Sequence, residues 1–329
     1  MASIDKNQQR TLSKTSSFDA MEQEIHNQVE DLAAFARELG KHDRFRHLDP
    51  SRMIFTGSGD SFACSLFAHY LSNMQALAAD PYEVQLYPQV SKNKTVFITS
   101  VSGKTRTNIQ LARKVKGVAK KRVAITSNPE SPLAKECDDV IRLPYRSPGI
   151  LTSGTASFSA TLLAVASLIR RLPKLDSLRT IERQAAEWAR RLRVHPRGEF
   201  LFVGSGTGYS LAMYAAFKIH EVLGLPAQYQ QTEQLGHSQL FSLQERSDNL
   251  LFLSPSSDKK TSEVFRVLSK NGFHAYLLKG STADPILAAL QVTFCIQHLA
   301  LHLARKKGLQ ECAFVTDKKR LALSSRLIY

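Results

Sequence analysis

Two stretches of this chain repeat one another: MIFTGSGDSFACSLFAHYL from Met53 and FLFVGSGTGYSLAMYAAFK from Phe200. Each reads as a short apolar strand, a GSG turn and an apolar helix. Duplication of one folding unit explains the pair more simply than chance, and it restricts the fold to one built twice. Each copy opens a run of alternating elements. In the first, strands are expected at 52–56, 83–87, 95–99, 122–125 and 140–144, and helices at 62–77, 108–116, 132–137 and 156–171. In the second, strands are expected at 200–203, 250–253 and 275–278, and helices at 209–223, 263–268 and 286–304. Alternation at this spacing predicts an α/β fold with parallel sheets covered on both faces. The chain then divides into a leader and N-terminal helix (1–48), a first unit (49–172), a helical connector (173–197), a second unit (198–312) and a basic tail (313–329).

A length of 329 residues exceeds one ordinary core and suits two domains. Hydrophobic residues at 43% and charged residues at 22% mark a soluble globular chain. Residues 1–17 are polar, carry no apolar signal-peptide core and read as a disordered leader. A helix from about residue 20 to 39 follows, with Met21, Ile25, Val29, Leu32 and Phe35 on one face, Ser17 or Asp19 as its cap and Gly40 as its end. Cys64, Cys137, Cys295 and Cys312 form no CxxC pair and read as reduced thiols of a cytoplasmic protein. The most apolar window, 286–304, is interrupted by Gln291, Gln297, His298 and His302, so it reads as a core helix and not a membrane span. His298 and His302 lie four apart without an evident third ligand, and no metal site is expected. The net charge of +15 is scattered in short basic groups, without an arginine-rich tail or a nucleic-acid-binding motif. An anionic small molecule fits that charge better than a nucleic acid.

Three turns carry the chemistry. Gly57–Ser58–Gly59 after the first strand lets backbone N–H groups approach a ligand at a helix start. A dinucleotide site would place a third glycine where Phe62 or Ala63 stands, so that reading is disfavoured, while a tight turn without ligand stays open. Ser100, Ser102 and Thr105 surround Gly103 between a strand and a helix. Capping a helix needs one hydroxyl; three hydroxyls with backbone amides make a cradle for a phosphate. Lys104 and Arg106 either add charge there or face solvent. The third turn, Thr152–Ser153–Gly154–Thr155, opens a helix and completes the same site or merely caps that helix.

Together the strand–GSGDS, strand–SxSGxT and TSGT–helix elements resemble the SIS phosphosugar-binding domain. From about residue 20 to 310 the order of the chain is similar to the isomerase half of glucosamine-6-phosphate synthase, with MEQEIHNQV from Met21 like its first helix. The resemblance implies two tandem SIS domains, each a flavodoxin-like three-layer sandwich around a parallel sheet of about five strands. It implies a sugar phosphate held by Ser61, Ser100, Ser102 and Thr105, with Gly59 and Ser153 beside it, and no cofactor. A chain starting Met-Ala-Ser lacks the N-terminal cysteine that releases ammonia from glutamine, so amide transfer by this chain alone is not expected.

In the second unit, KIHEVLGLPAQYQQTEQLGH carries Lys218, Glu221 and His237 at the family's spacing, and the resemblance makes them catalytic. Glu221 is the implied base that shuttles a proton between C1 and C2 through an enediol-type intermediate. His237 is the implied ring-opening group; in the family it comes from the partner subunit, which implies a homodimer with shared sites. The chemistry asks for such groups on its own terms. A proton α to a carbonyl needs a carboxylate within hydrogen-bond reach, and an imidazole moves protons near neutral pH. A solvated or salt-bridged glutamate remains the plain alternative for Glu221, and Glu233 and His220 compete as base. The family's imine-forming C-terminal lysine aligns with Leu323, with Lys318 and Lys319 out of register, which puts a Schiff-base route in doubt. Asp60 stands where the synthase has a neutral hydroxyl, and a carboxylate beside a phosphate is tolerated only if it points away or binds a sugar hydroxyl. The expected function is an aldose–ketose isomerase of a hexose or amino-hexose 6-phosphate. The alternatives are an amino-sugar phosphate deaminase or deglycase and a non-catalytic sugar-phosphate sensor. Neither nucleic acid nor membrane is expected as a partner.

Overall fold

The computed structural model describes residues 16–41, 45, 47–195, 198–256 and 258–329, so nearly all of the expected leader lies outside the described residues. The chain opens with α1 (Ser17–Lys41), which buries Met21, Ile25, Leu32 and Phe35 as its periodicity predicts. The first unit runs β1 (Met53–Gly57), α2 (Asp60–Leu71), β2 (Leu77–Ala79), α3 (Pro81–Leu86), β3 (Thr95–Thr99), α4 (Arg106–Lys114), β4 (Lys121–Thr126), α5 (Pro132–Glu136), β5 (Asp139–Arg142) and α6 (Ala156–Ile169). Its strands form one parallel sheet in the order β2-β1-β3-β4-β5. Every residue of β1 and β3 is buried, because helices cover both faces.

The connector forms α7 (Leu178–Arg191). The second unit then runs β6 (Phe200–Gly204), α8 (Thr207–Lys218), β7 (Ala227–Gln231), α9 (Thr232–Leu235), β8 (Asn249–Ser254), α10 (Lys259–Lys270), β9 (Ala275–Lys279) and α11 (Pro285–Lys306). Its sheet is parallel in the order β7-β6-β8-β9, repeating the order of the first four strands of unit one. About five strands were expected here; the described residues form four, because after β9 the chain enters the 22-residue α11. The basic tail forms α12 (Ala313–Thr316) and α13 (Lys318–Ile328).

The repeat extends to single dihedrals. Gly59, before α2, has φ 60° and ψ −128°; Gly206, before α8, has φ 55° and ψ −129°. That region is closed to residues with a Cβ, which is why both copies keep a glycine there. The two units are not packed as separate cores. Phe158 of α6 stacks on Tyr214 of α8 with centroids 3.5 Å apart, and one apolar cluster includes Phe55 and Phe97 as well as Phe202 and Leu253. The α11 helix is long and apolar enough to cross a membrane, but 89% of its apolar window is buried inside the fold. Its polar residues have core partners: His298 Nε2 lies 2.7 Å from Glu182 on α7, and Gln297 donates to the Thr155 carbonyl at 3.2 Å.

Three expectations are corrected. Residues 83–87 were expected to be a strand and lie mostly in α3, because Pro81 stands at the helix start and the Asp80 carboxylate accepts from the Tyr82 amide at 2.8 Å. The strand beside β1 is instead β2, freed because α2 ends at Leu71 and Asn73 and Met74 turn with φ 55° and 63°. The edge strand β7, AQYQQ, was missed because it is polar and only half-buried, without an apolar alternation to betray it.

Candidate active site

In the first sheet the chain leaves β1 towards one edge through β2, and leaves β3 towards the other through β4 and β5. In open parallel sheets a ligand crevice is expected where the order reverses, here outside the carboxyl ends of β1 and β3. Gly57 and Thr99 are paired at those ends, so the GSGDS and SVSGKT turns flank the crevice. Ser61 lies in the first turn of α2, 8% exposed, and Ser100 is 4% exposed. Ser100 Oγ accepts from the Gly103 amide at 3.1 Å and lies 3.0 Å from Thr105 Oγ1, while Ser102 Oγ accepts from the Lys104 amide at 3.3 Å. The hydroxyls expected to form an anion cradle are thus gathered at the α4 start. Arg106 is not aimed at that cradle: its guanidinium donates to the carbonyls of Tyr329 and Arg326 at 3.1 and 3.5 Å, tying down the end of α13.

A buried lysine joins this crevice to the second unit. Lys218, at the end of α8, is 0% exposed and donates to Asp60 Oδ2 at 2.8 Å and Glu221 Oε2 at 2.5 Å. Glu221 stands on a π-helical turn, Ile219–Leu223, where the wider winding lets it reach Lys218 three residues back. Ser153 Oγ donates to Glu221 Oε2 at 2.7 Å. Gly154 presents its carbonyl to the Tyr214 hydroxyl at 2.8 Å and to Lys218 Nζ at 3.5 Å. Asp60 therefore turns onto the lysine, one of the arrangements in which a carboxylate beside the expected phosphate would be tolerated. Its side chain is 23% exposed, while Oδ1 is buried and has no partner among the described residues.

Burial, opposed by the Lys218 charge and reinforced by that of Glu221, pushes the Asp60 carboxyl from its usual 3.8 up to about 7. Burial alone disfavours a charged lysine, but Asp60 and Glu221 outweigh it and hold the Lys218 ammonium well above the usual range. Lys218 is thus a fixed cation and not a free amine nucleophile. Gly154 makes room for the arrangement: a Cβ there would lie 2.6 Å from Asp60 Oδ2. Gly154→Ala is expected to displace that carboxylate from Lys218 and to destabilise the fold by about 1–3 kcal/mol, read by urea unfolding; an alanine variant as stable as wild type would mean that Asp60 moves freely.

Glu221 faces a cavity of about 320 Å³ lined also by Thr152, Gly154, His220, Asp317 and Arg320. One wall is therefore α13. Leu323, at the position aligned with the family's lysine, is 49% exposed; the residue of α13 that lines the cavity with a cation is Arg320. His237 is not brought to this cluster within one chain. It lies beyond β7 with its side chain 70% exposed and its Nε2 3.7 Å from Glu233. Of the competing groups, Glu233 also pairs with Lys260 at 3.4 Å, while His220 lines the cavity with its ring 2.9 Å from the Ala227 carbonyl. Sequence reasoning missed Tyr214, whose ring lies 5.1 Å from Lys218 Nζ, and Glu24, which holds the Thr152–Thr155 turn. A charged residue closing the apolar run LAMYAAFK was the available signal for the first.

Residues 48–171 match the SIS domain family. Over 330 residues the chain is 23% identical to a glutamine–fructose-6-phosphate aminotransferase (isomerizing) of Pyrococcus horikoshii, covering 88% of this chain and 53% of that protein. The chain thus spans about half the length of that relative. Over 123 residues it is 34% identical to a 3-hexulose-6-phosphate isomerase of Bacillus subtilis, covering 37% of this chain and 66% of that one. In fold it is similar to a glucosamine-6-phosphate deaminase of Thermotoga maritima, with a TM-score of 0.74 at 19% identity over 88% of this chain and 96% of that one. Over residues 48–171 the chain is thus similar to the SIS domain family, and the sequences it resembles include a sugar-phosphate isomerase and isomerising aminotransferases.

Proposed function

We propose that the chain is a cytoplasmic sugar-phosphate isomerase built from two tandem SIS-type units, acting on a hexose or amino-hexose 6-phosphate. The observation that carries this reading is the contact chain from the cradle to the carboxylate. Ser61 neighbours Asp60, Asp60 holds Lys218, and Lys218 and Ser153 together hold Glu221 at a cavity. In this reading Gly59, Ser61, Ser100, Ser102 and Thr105 bind the phosphate, and Glu221 moves the proton between C1 and C2 of the open sugar. Lys218 fixes Glu221 and supplies positive charge where the enediolate oxygen develops. His237 serves the site of a second copy in a homodimer; its exposure, together with that of Phe241 at 85% nearby, supports a segment that docks on a partner.

A deaminase or deglycase remains the second reading, favoured by the likeness in fold to a glucosamine-6-phosphate deaminase. It uses the same cradle and base and differs in whether nitrogen leaves. The test is a screen of hexose and amino-hexose 6-phosphates that reads sugar interconversion and ammonia in parallel. Interconversion of fructose 6-phosphate with an aldose phosphate, without ammonia, supports the isomerase; ammonia from glucosamine 6-phosphate supports the deaminase. Binding without turnover leaves the sensor, and no binding of any sugar phosphate removes the whole reading. Within the screen, Ser102→Ala is expected to raise KM for the phosphorylated sugar by roughly tenfold, as lost hydrogen bonds to a charged group do, with kcat less affected. An unchanged KM would place the phosphate elsewhere.

A further inference from the structure

We propose that Glu24, on the N-terminal helix and outside the cavity lining, is a positioning residue that sets the geometry of Glu221 through the Thr152–Thr155 turn. The proposal rests on the reading of Glu221 as the proton-transferring base. Glu24 is 5% exposed. Its carboxylate accepts from Thr152 Oγ1 at 3.1 Å and from Thr155 Oγ1 at 2.5 Å.

The four residues of the turn face two ways. The outer pair, Thr152 and Thr155, is held by Glu24. The inner pair faces the reacting groups: Ser153 donates to Glu221, and the Gly154 carbonyl receives Tyr214 and Lys218. Thr155 occupies the N-cap position of α6, yet its side chain makes no cap hydrogen bond. It is turned to Glu24 instead. A carboxylate from α1 thus holds the N-cap residue of α6 and, through it, the Ser153–Gly154 pair just before that cap. A second anchor acts on the same turn from the far side: Gln297 donates to the Thr155 carbonyl, and Gln28, one turn beyond Glu24, donates to Gln297 Oε1 at 2.9 Å.

Glu221 needs such support. Its side chain is 40% exposed on a π turn, so Ser153 and Lys218 are what define its direction. A buried carboxylate held by two hydroxyls is expensive to keep out of water, and burial does push Glu24 above the usual glutamate range against those hydrogen bonds. The arrangement contributes little that an apolar contact could not, apart from fixing the turn.

The test measures kcat and KM of wild type, Glu24→Ala and Glu24→Gln on the sugar phosphate that wild type turns over, each normalised to folded protein. Glu24→Ala is expected to lower kcat on the order of 10–100-fold, as a misplaced reacting group does, with KM little changed because the cradle at β1 and β3 is untouched. Glu24→Gln keeps the shape and an acceptor oxygen and is expected to restore most of kcat. A role in stability alone would lower the folded fraction and leave kcat per folded molecule intact; that result overturns the proposal, as does a rise in KM with normal kcat. If Glu24→Ala does not fold, Thr155→Val is expected to show the same split, and normal kcat in that variant overturns it. Wild type without turnover would remove the base reading and this inference with it, whereas active wild type with unaffected variants removes this inference alone.

Discussion

Replacing Glu221 by Gln is expected to lower turnover by roughly 10²–10⁴-fold while sugar-phosphate affinity stays close to wild type. Glutamine matches the shape of the side chain and can still accept from Ser153, so the turn and the cavity wall are preserved. What it cannot do is accept a carbon-bound proton. The loss corresponds to about 3–5 kcal/mol of barrier. Affinity should survive because the cradle hydroxyls lie at the ends of β1 and β3, on the other unit. Initial rates and calorimetric titration of the two proteins check both halves of this statement. Near-normal turnover in the variant would move the base to another carboxylate, with Asp60 the nearest alternative across Lys218. A wild type that binds sugar phosphate and shows no turnover would leave Glu221 a structural ligand of Lys218 and the chain a sensor.

The sequence announced its fold where apolar runs end in special backbone. Strands β1, β3, β6 and β8 are buried on every residue, and such runs cannot be satisfied except inside a covered parallel sheet. The GSG turns were legible because only glycine takes the dihedrals of Gly59 and Gly206. The edge strands were not: β2 has three residues and β7 is polar, and an edge asks little of its side chains. The misread segment 83–87 has strand-forming side chains, but a cap at Asp80 and a proline behind it decided for a helix. The site divides in the same way. Its hydroxyls were legible because they cluster in sequence. The Asp60–Lys218 pair, separated by 158 residues, exists only after α2 and α8 pack, so no local pattern could announce it. Glu24 was hidden likewise, 128 residues from Thr152 and 131 from Thr155 and reading as an ordinary polar position of an amphipathic helix.

The packing of α2 against α8 leads to the second large effect, a loss of stability in Lys218→Met that depends on pH. Methionine is unbranched and close to lysine in length, so it fills the space against the Tyr214 ring without opening a void. The change is therefore one of charge. It leaves the Asp60 and Glu221 carboxylates facing a common point with no cation between them, and removal of one partner from a buried ionic cluster typically costs about 3–5 kcal/mol. The sign of the pH dependence follows from Asp60. Its folded pKa is raised from 3.8 to about 7, so the folded state holds a proton that the unfolded chain has released. The stability it contributes is fully present below about pH 4 and is lost as pH rises through about 7. Without the Lys218 charge, which opposes that rise, the carboxyl is pushed further in the same direction. At pH 5 the variant keeps Asp60 neutral and the two acids do not repel, whereas at pH 8 the neutral form is harder to maintain. The deficit of Lys218→Met relative to wild type should thus be small at pH 5 and approach its full size at pH 8, read by urea unfolding at both. A deficit that is equal at the two pH values would mean that Lys218 acts through packing alone, and the junction between the two units would then owe nothing to the charge at its centre.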